Sequence, residues 1–383
     1  MNTVNASRRR FLQTSAVTGG GLVIGFTITG CYSAPAPLPV ASTEGAWTPN
    51  AFLQVLPDNT IRFYTARSEM GQGVTTGLAT LVGEELDVNP LDMDIRLAGV
   101  HEDYVNPDFG MQGTGGSSSI HAHYLQLRQV GANTRALILE AAAKDLGVAT
   151  SSFTTENGYV VADNTRYPYA DFITTAQSLT IETDAPLKPA SQFQYIGQET
   201  RRVDAVAKST GTAQFGIDVD VPGMHYAIVV RAPVARARAL AVNAAIARSM
   251  SGVTDIFEIG TGVAVVAESF WQAKQAAAKV EVHWESLPLE AVDTATLRGD
   301  YAAALDAGDG VEGPNEGDIE AALRSASTTH EAEYWAPLLS HSPMEPVNAV
   351  VSIQGDEADV WTGIQFPSAV PGLVSRLAEI PAE

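Results

Sequence analysis

Glu69-Met70-Gly71-Gln72-Gly73, running straight into Val74–Leu86, is the stretch on which the fold turns. Behind the glycines, Val74, Leu78, Leu81 and Val82 fall at i, i+4, i+7 and i+8, the spacing of one apolar helix face. A Gly-Gln-Gly turn at the mouth of a helix offers backbone N–H groups and the positive helix end to an anion. Without a Cβ at Gly71 and Gly73 a large ligand can lie on the backbone, and the Gln72 amide can both donate and accept. The competing reading is a strand-to-helix turn that needs glycine for its geometry alone.

A second loop of this kind follows. Gly110-Met111-Gln112-Gly113-Thr114-Gly115-Gly116 leads through Ser117, Ser118 and Ser119 into a helix predicted from about Ile120 to Gly147, with Leu127, Val130, Leu137 and Ala141 on its buried face. Its N–H groups and hydroxyls suit a phosphate. It is not a P-loop, lacking Gly-Lys-Ser/Thr, and its glycine spacing is not a Rossmann fingerprint. A glycine turn with a serine cap is the alternative.

Length and composition set the bounds. A chain of 383 residues, 45% hydrophobic, can hold two or three packed domains. Its net charge of −21 argues against nucleic acid and anionic membrane surfaces as partners. Cys31 is the one cysteine, so this chain forms no intrachain disulfide, thiolate zinc site or iron–sulfur cluster. The seven histidines include no H-E-x-x-H pair, and His121 and His123, two apart, point to different helix faces and are expected to be ordinary polar residues.

Ser68 to Val74 and Leu81-Val-Gly-Glu-Glu-Leu-Asp87 resemble the molybdenum-cofactor-binding subunits of the xanthine dehydrogenase and aldehyde oxidase family. The nearest branch is the exported one, the beta subunit of isoquinoline 1-oxidoreductase and the membrane-bound aldehyde dehydrogenases. Four further blocks agree in that branch's order: Met111 to Ser117, Phe215-Gly-Ile-Asp218 with Pro222-Gly-Met224, His341 to Ala349, and Trp361 to Pro367. The resemblance implies an α+β fold in which molybdopterin-binding segments flank an a/b hammerhead domain. It implies cofactor contacts at Gly71, Gln72 and Gly73, at Gly113, Thr114, Gly115, Gly116, Ser117 and Ser118, and at Gln365, whose family counterpart hydrogen-bonds the metal's oxo ligand. The cofactor would be molybdopterin, in its cytosine dinucleotide form, with molybdenum. The reaction would oxidise an aldehyde or an N-heteroaromatic ring with oxygen from water, a hydride passing to the cofactor. Electrons would leave through a small 2Fe–2S subunit and on to a cytochrome c.

In chain order, Ser7 to Gln13 with the apolar run to Gly30 reads as a twin-arginine signal peptide over residues 1–31, and hence as periplasmic export. Ile28-Thr29-Gly30-Cys31 also fits a lipoprotein box that would anchor the chain through Cys31; ordinary cleavage near Ala34 or Ala36 is the alternative. Residues 32–46 form a tether. The first cofactor-binding segment is 47–184, opening with a hairpin around Pro57-Asp58-Asn59 and reaching a strand at Met93 to Leu97. A linker over 185–203 leads to the hammerhead domain at 204–286, with strands at Thr212 to Asp218, Met224 to Arg231, Val253 to Glu258, Val263 to Glu268 and Val280 to Trp284, and a helix from Phe270 to Lys279. An acidic linker covers 287–326. Strand character resumes from Ser327, and 327–383 begins a second cofactor-binding segment in which Glu345 is expected to take a donor such as His341.

The family's Gly-Gly-Phe-Gly segment and the catalytic glutamate of its Gly-Val-Gly-Glu do not occur in this sequence. The expectation is therefore the N-terminal half of a catalytic subunit, truncated at its C-terminus and inactive alone, with no catalytic residue of its own. An exported cofactor-free partner and a periplasmic binding protein are the rival readings.

Overall fold

The computed structural model describes residues 43–381 except 261, 312 and 315. The leader, the box at Cys31 and most of the tether lie outside the described residues. The chain divides into two compact units: 43–206 with Gln365–Val370, and Ala207–Ile364 with 371–381.

In the first unit, strands β1 (Trp47–Asn50), β2 (Leu53–Val55), β3 (Ile61–Thr65) and β4 (Asp94–Leu97) form one sheet in that order. The expected hairpin closes at Asn59, which takes a positive φ of 68°. β1, β2 and β3 pair antiparallel, while β3 and β4 are parallel. A parallel pair needs a crossover, and helix α1 (Val74–Leu86) lies within it. Its apolar face is the one the spacing predicts: Val74, Leu78, Leu81 and Val82 are all buried.

Helix α2 (Ser119–Leu146) packs on α1, burying Leu127, Leu137, Ile138 and Ala141, with Val130 only half-buried. Gly131 allows the two helices this approach, because a Cβ there would sit 2.6 Å from the Val82 carbonyl oxygen. A meander of β5 (Thr154–Glu156), β6 (Tyr159–Ala162) and β7 (Thr165–Pro168) follows. From Tyr169 the chain forms a short helical turn whose Tyr169, Phe172, Ile173 and Ala176 enter the core.

Residues 185–203, expected as a linker, are stitched onto α1. The fully buried Glu84 carboxylate accepts the N–H groups of Gln194 (3.0 Å), Tyr195 (2.7 Å) and Ile196 (3.0 Å). Its neighbour Glu85 takes the Arg128 guanidinium at 2.6 Å and the N–H of Lys188. A buried carboxylate is tolerated only with such partners.

The second unit contains an antiparallel sheet of β8 (Tyr226–Val230), β10 (Val253–Ile259) and β11 (Gly262–Ala267), ordered β10-β11-β8. β9 (Ala239–Asn243) pairs with β12 (Glu281–Trp284), and helix α3 (Phe270–Ala277) is capped by the Ser269 hydroxyl. Ala247, Ile256, Val263, Val265 and Ala276 form its core. Four expectations are corrected. Thr212 to Asp218 is no strand but ends in a single helical turn at Gly216–Asp218. The acidic stretch after 287 carries an exposed helix, Thr294–Ala307. Strand structure resumes only at β13 (Ala349–Gln354), which pairs with β14 (Glu357–Thr362). Glu345 takes its donors from the Ile217 N–H and the Asn348 amide, both at 2.9 Å, rather than from His341. Among the described residues no helix is long and apolar enough to cross a membrane.

Candidate functional site

Strand β3 ends at Thr65 and the chain passes through Arg67 and Ser68 into the first glycine loop. Gly71 and Gly73 have φ values of 100° and 84°, the left-handed region that excludes most side chains. Their N–H groups are not open to a ligand, which corrects the sequence reading. One Glu69 oxygen accepts from Gly71 (2.8 Å) and Gly73 (3.0 Å), and the other from Thr75 (3.1 Å). Arg202 holds this carboxylate at 3.1 Å, donates to the Gly71 carbonyl at 2.7 Å and pairs with Asp204. Burial works to raise the Glu69 pKa, but the three N–H groups and Arg202 outweigh it and hold it below the usual range. Gln72 commits its amide to its own turn, accepting from Met70 N–H and donating to the Ser68 carbonyl. A Cβ added at Gly71 or Gly73 would meet nothing within 4 Å, so both bare faces look into open space.

Thr114 joins this loop to the second one. Its hydroxyl accepts the Ser68 N–H at 2.8 Å, its N–H donates to the Gln365 carbonyl at 2.7 Å, and its carbonyl accepts the Gln365 side-chain amide at 2.9 Å. Ser368 adds a bond to the Gln112 carbonyl. The strap Gln365–Val370 thereby seats Phe366 on the glycines, where a Cβ at Gly113 would lie 2.3 Å from the ring and one at Gly115 3.2 Å. Gly113 and Gly115 are small for this ring. The Ser118 hydroxyl, expected to contact the cofactor, is buried between the Asn106 amide (2.7 Å) and the Gly115 carbonyl (2.8 Å).

What stays open is Gly116 and Ser117. Both are exposed, with φ of 59° and 53°, and nothing lies within 4 Å of a Cβ at Gly116. The first turn of α2 has no acidic residue, and Ser118 makes no side-chain cap. The N–H groups expected at the first loop are thus on offer at the second.

Sequence reasoning missed two residues. His123 is 1% exposed, with Nδ1 2.6 Å from the Gln126 side-chain oxygen and Nε2 against the Arg67 guanidinium; His121 beside it is exposed. Arg67 is fully buried, donates to the carbonyls of Ala66 (3.2 Å) and Tyr104 (3.4 Å), and leaves Nε without a partner. Burial pushes Arg67 down to about 10. Burial also lowers His123, aided by the Arg67 charge and opposed by Gln126. The signal was present: Ile61, Phe63, Thr65 and Arg67 share one parity of the strand, and all four are buried.

Ten sequence-selected residues therefore lie on three segments linked through Thr114: Gly71 to Gly73, Gly113 to Ser118, and Gln365. For an anionic pterin the fit is good at the bare faces of Gly71, Gly73 and Gly116 and at the start of α2, whose own first turn holds no acid, although the Asp108 carboxylate lies 3.4 Å from His121 there. Among the described residues no group of three or more His, Cys, Asp or Glu could hold a metal ion. A metal carried on a pterin's own sulfurs makes no such demand.

A model described as a molybdopterin cofactor-binding domain matches residues 2–235, and another of the same description matches 307–383. Among curated proteins, a membrane-bound aldehyde dehydrogenase (pyrroloquinoline-quinone) of Gluconacetobacter polyoxogenes is 30% identical, over 98% of this chain and 50% of the relative. The isoquinoline 1-oxidoreductase beta subunit of Brevundimonas diminuta is 27% identical, over 99% of this chain and 54% of the relative. A nicotinate dehydrogenase subunit from Pseudomonas putida is 28% identical, over 82% and 27%. The chain spans about half the length of the first two relatives. With one model covering more than half of its residues, it belongs to the molybdopterin cofactor-binding domain family, as a molybdenum-binding subunit of the xanthine dehydrogenase type.

Proposed function

We propose that this chain holds the molybdenum cofactor in an enzyme that oxidises an aldehyde or an N-heteroaromatic compound, with water as the oxygen source. The observation that carries this reading is the exposed, uncapped start of α2 at Gly116 and Ser117, joined through Thr114 to the bare faces of Gly71 and Gly73. When bound, the cofactor supplies the oxidative chemistry. The chain's residues supply position. N–H groups from Gly116 onward, with the positive end of a helix of 28 residues, receive a phosphate of the cofactor tail. Gly71 and Gly73 let the pterin body approach the backbone, and Gln72 can turn its amide out from Met70 and Ser68 to meet it. Gly113, Thr114, Gly115 and Gln365 act by shape, since the strap bonds among them hold the second loop against the first.

In this reading the electrons leave through a small 2Fe–2S subunit and a cytochrome c. The pterin carries a cytosine dinucleotide tail, and the leader at 1–31 sends the loaded protein to the periplasm. The name of the first relative carries a quinone, whereas the family model carries molybdopterin, and composition separates them. The chain purified from cells that make molybdenum cofactor should contain molybdenum and pterin in equal amounts, with cytidine monophosphate released on hydrolysis. Material that folds yet holds neither would sink the reading in favour of a cofactor-free partner or a solute-binding protein. In the assembled enzyme, isotope-labelled water should deliver its oxygen to the product.

A further inference from the structure

The half-buried and buried arginines of the first unit follow a pattern with one exception. Arg62 meets Asp94, Arg128 meets Glu85, and Arg135 meets Asp87. Arg67 is fully buried, and among the described residues no carboxylate lies within ion-pair distance of it; the Asp108 charge reaches it only from further off and does not offset its burial. Two backbone carbonyls and the Nε2 lone pair of His123 are its partners, and its own Nε has none. With Nδ1–H donating to Gln126, that imidazole is neutral and adds no counter-charge. A guanidinium taken from water without a contacting anion is costly, and apolar side chains of similar volume often serve the fold better.

Its place in the chain suggests what offsets the cost. On one side Arg67 continues directly into Ser68, whose N–H is held by Thr114. On the other it touches His123, in the second turn of α2 above the open Gly116–Ser117 start. We infer that Arg67 is a fixed buried counter-charge for an anionic ligand group, the phosphate of the pterin cofactor, at the start of α2. This rests on the cofactor reading above and names a residue that the reading does not need. Arg67 reaches no solvent, so it acts through its field rather than by contact and is a positioning residue.

The test uses full chains carrying Arg67→Met and Arg67→Lys, each purified from cofactor-making cells. Molybdenum and released pterin are measured after gel filtration, and melting temperature is measured on cofactor-free protein. Arg67→Met should melt no lower than the wild type yet retain roughly tenfold less cofactor. Arg67→Lys, which keeps the charge, should retain most of it. Adding inorganic pyrophosphate should raise the melting temperature of cofactor-free wild type and Arg67→Lys more than that of Arg67→Met. The inference is overturned if Arg67→Met keeps cofactor as well as the wild type, or if Arg67→Lys loses it as completely as Arg67→Met. It is also overturned if Arg67→Met melts well below the wild type, which marks a structural residue. If the wild type holds no molybdenum or pterin, the cofactor reading fails first and this inference falls with it.

Discussion

Helices α1 and α2 both start from glycine-rich loops, pack against one another and are joined at their loops by Thr114, yet their first turns are finished differently. At α1 the chain brings its own anion: Glu69 takes the N–H groups of Gly71, Gly73 and Thr75, and Arg202 clamps the carboxylate. At α2 no carboxylate takes the first N–H groups: the helix's first turn holds no acid and no side-chain cap, Asp108 meets only the His121 ring, and Gly116 and Ser117 are exposed. A helix whose N–H groups are satisfied internally gains stability and loses its appeal to a ligand. One left open gives up that stability and keeps its binding capacity. The more motif-like loop is therefore the plugged one.

The hardest way to break this arrangement is to separate the helices. Gly131→Val would force a side chain into the 2.6 Å gap to the Val82 carbonyl and should cost about 2–3 kcal/mol, read as a lower urea midpoint. Next comes the plug itself. Glu69→Gln removes a charge that three N–H groups and Arg202 favour, and should cost roughly 1–3 kcal/mol at neutral pH. Because the folded pKa of Glu69 is depressed, its contribution is present above the ordinary carboxylate value of 4.5 and is lost as pH falls through the lower folded value. The variant should lack that part of the acid loss, and a parallel acid profile would show the plug to be energetically idle.

A smaller effect is expected at His123. Its folded pKa is lowered by burial beside Arg67, so the unfolded chain takes the proton first. Stability should be full above pH 6.5, fall as pH drops below 6.5 and level off once the folded form also protonates. His123→Gln should flatten this step in a melting series. Smallest of all is Ser117→Val. The residue is exposed at a φ of 53°, where a β-branched side chain is strained, so a loss of about 0.5–1 kcal/mol is expected. Cofactor retention should fall far more than that loss accounts for.

How much of this was legible depended on where the partners lie. The apolar faces of α1 and α2 were readable because their period is local, and the α2 limits came within a residue of Ser119–Leu146. Glu84 and Glu85 gave no such warning. Two adjacent acids read as solvated, and the groups that offset their burial, Arg128, Lys188 and the N–H groups of 194–196, are 43 to 112 residues away. The same holds for Gly113 and Gly115, which look like ligand glycines until Phe366 returns to cover them. Thr212 to Asp218 had a strand-like composition but found no partner strand, and alternation without pairing makes no sheet. In the site, the sequence pointed to three segments that Thr114 links. It could not say which N–H groups Glu69 had already taken.

Hydrogen–deuterium exchange of the cofactor-free and cofactor-loaded chain tests the contrast between the two helix starts most directly. Loading should slow exchange at the N–H groups of Gly116, Ser117, Ser119 and Ile120 and leave those of Gly71, Gly73 and Thr75, already bonded to Glu69, unchanged. Protection gained at 71–75 with none at 116–120 would contradict the account.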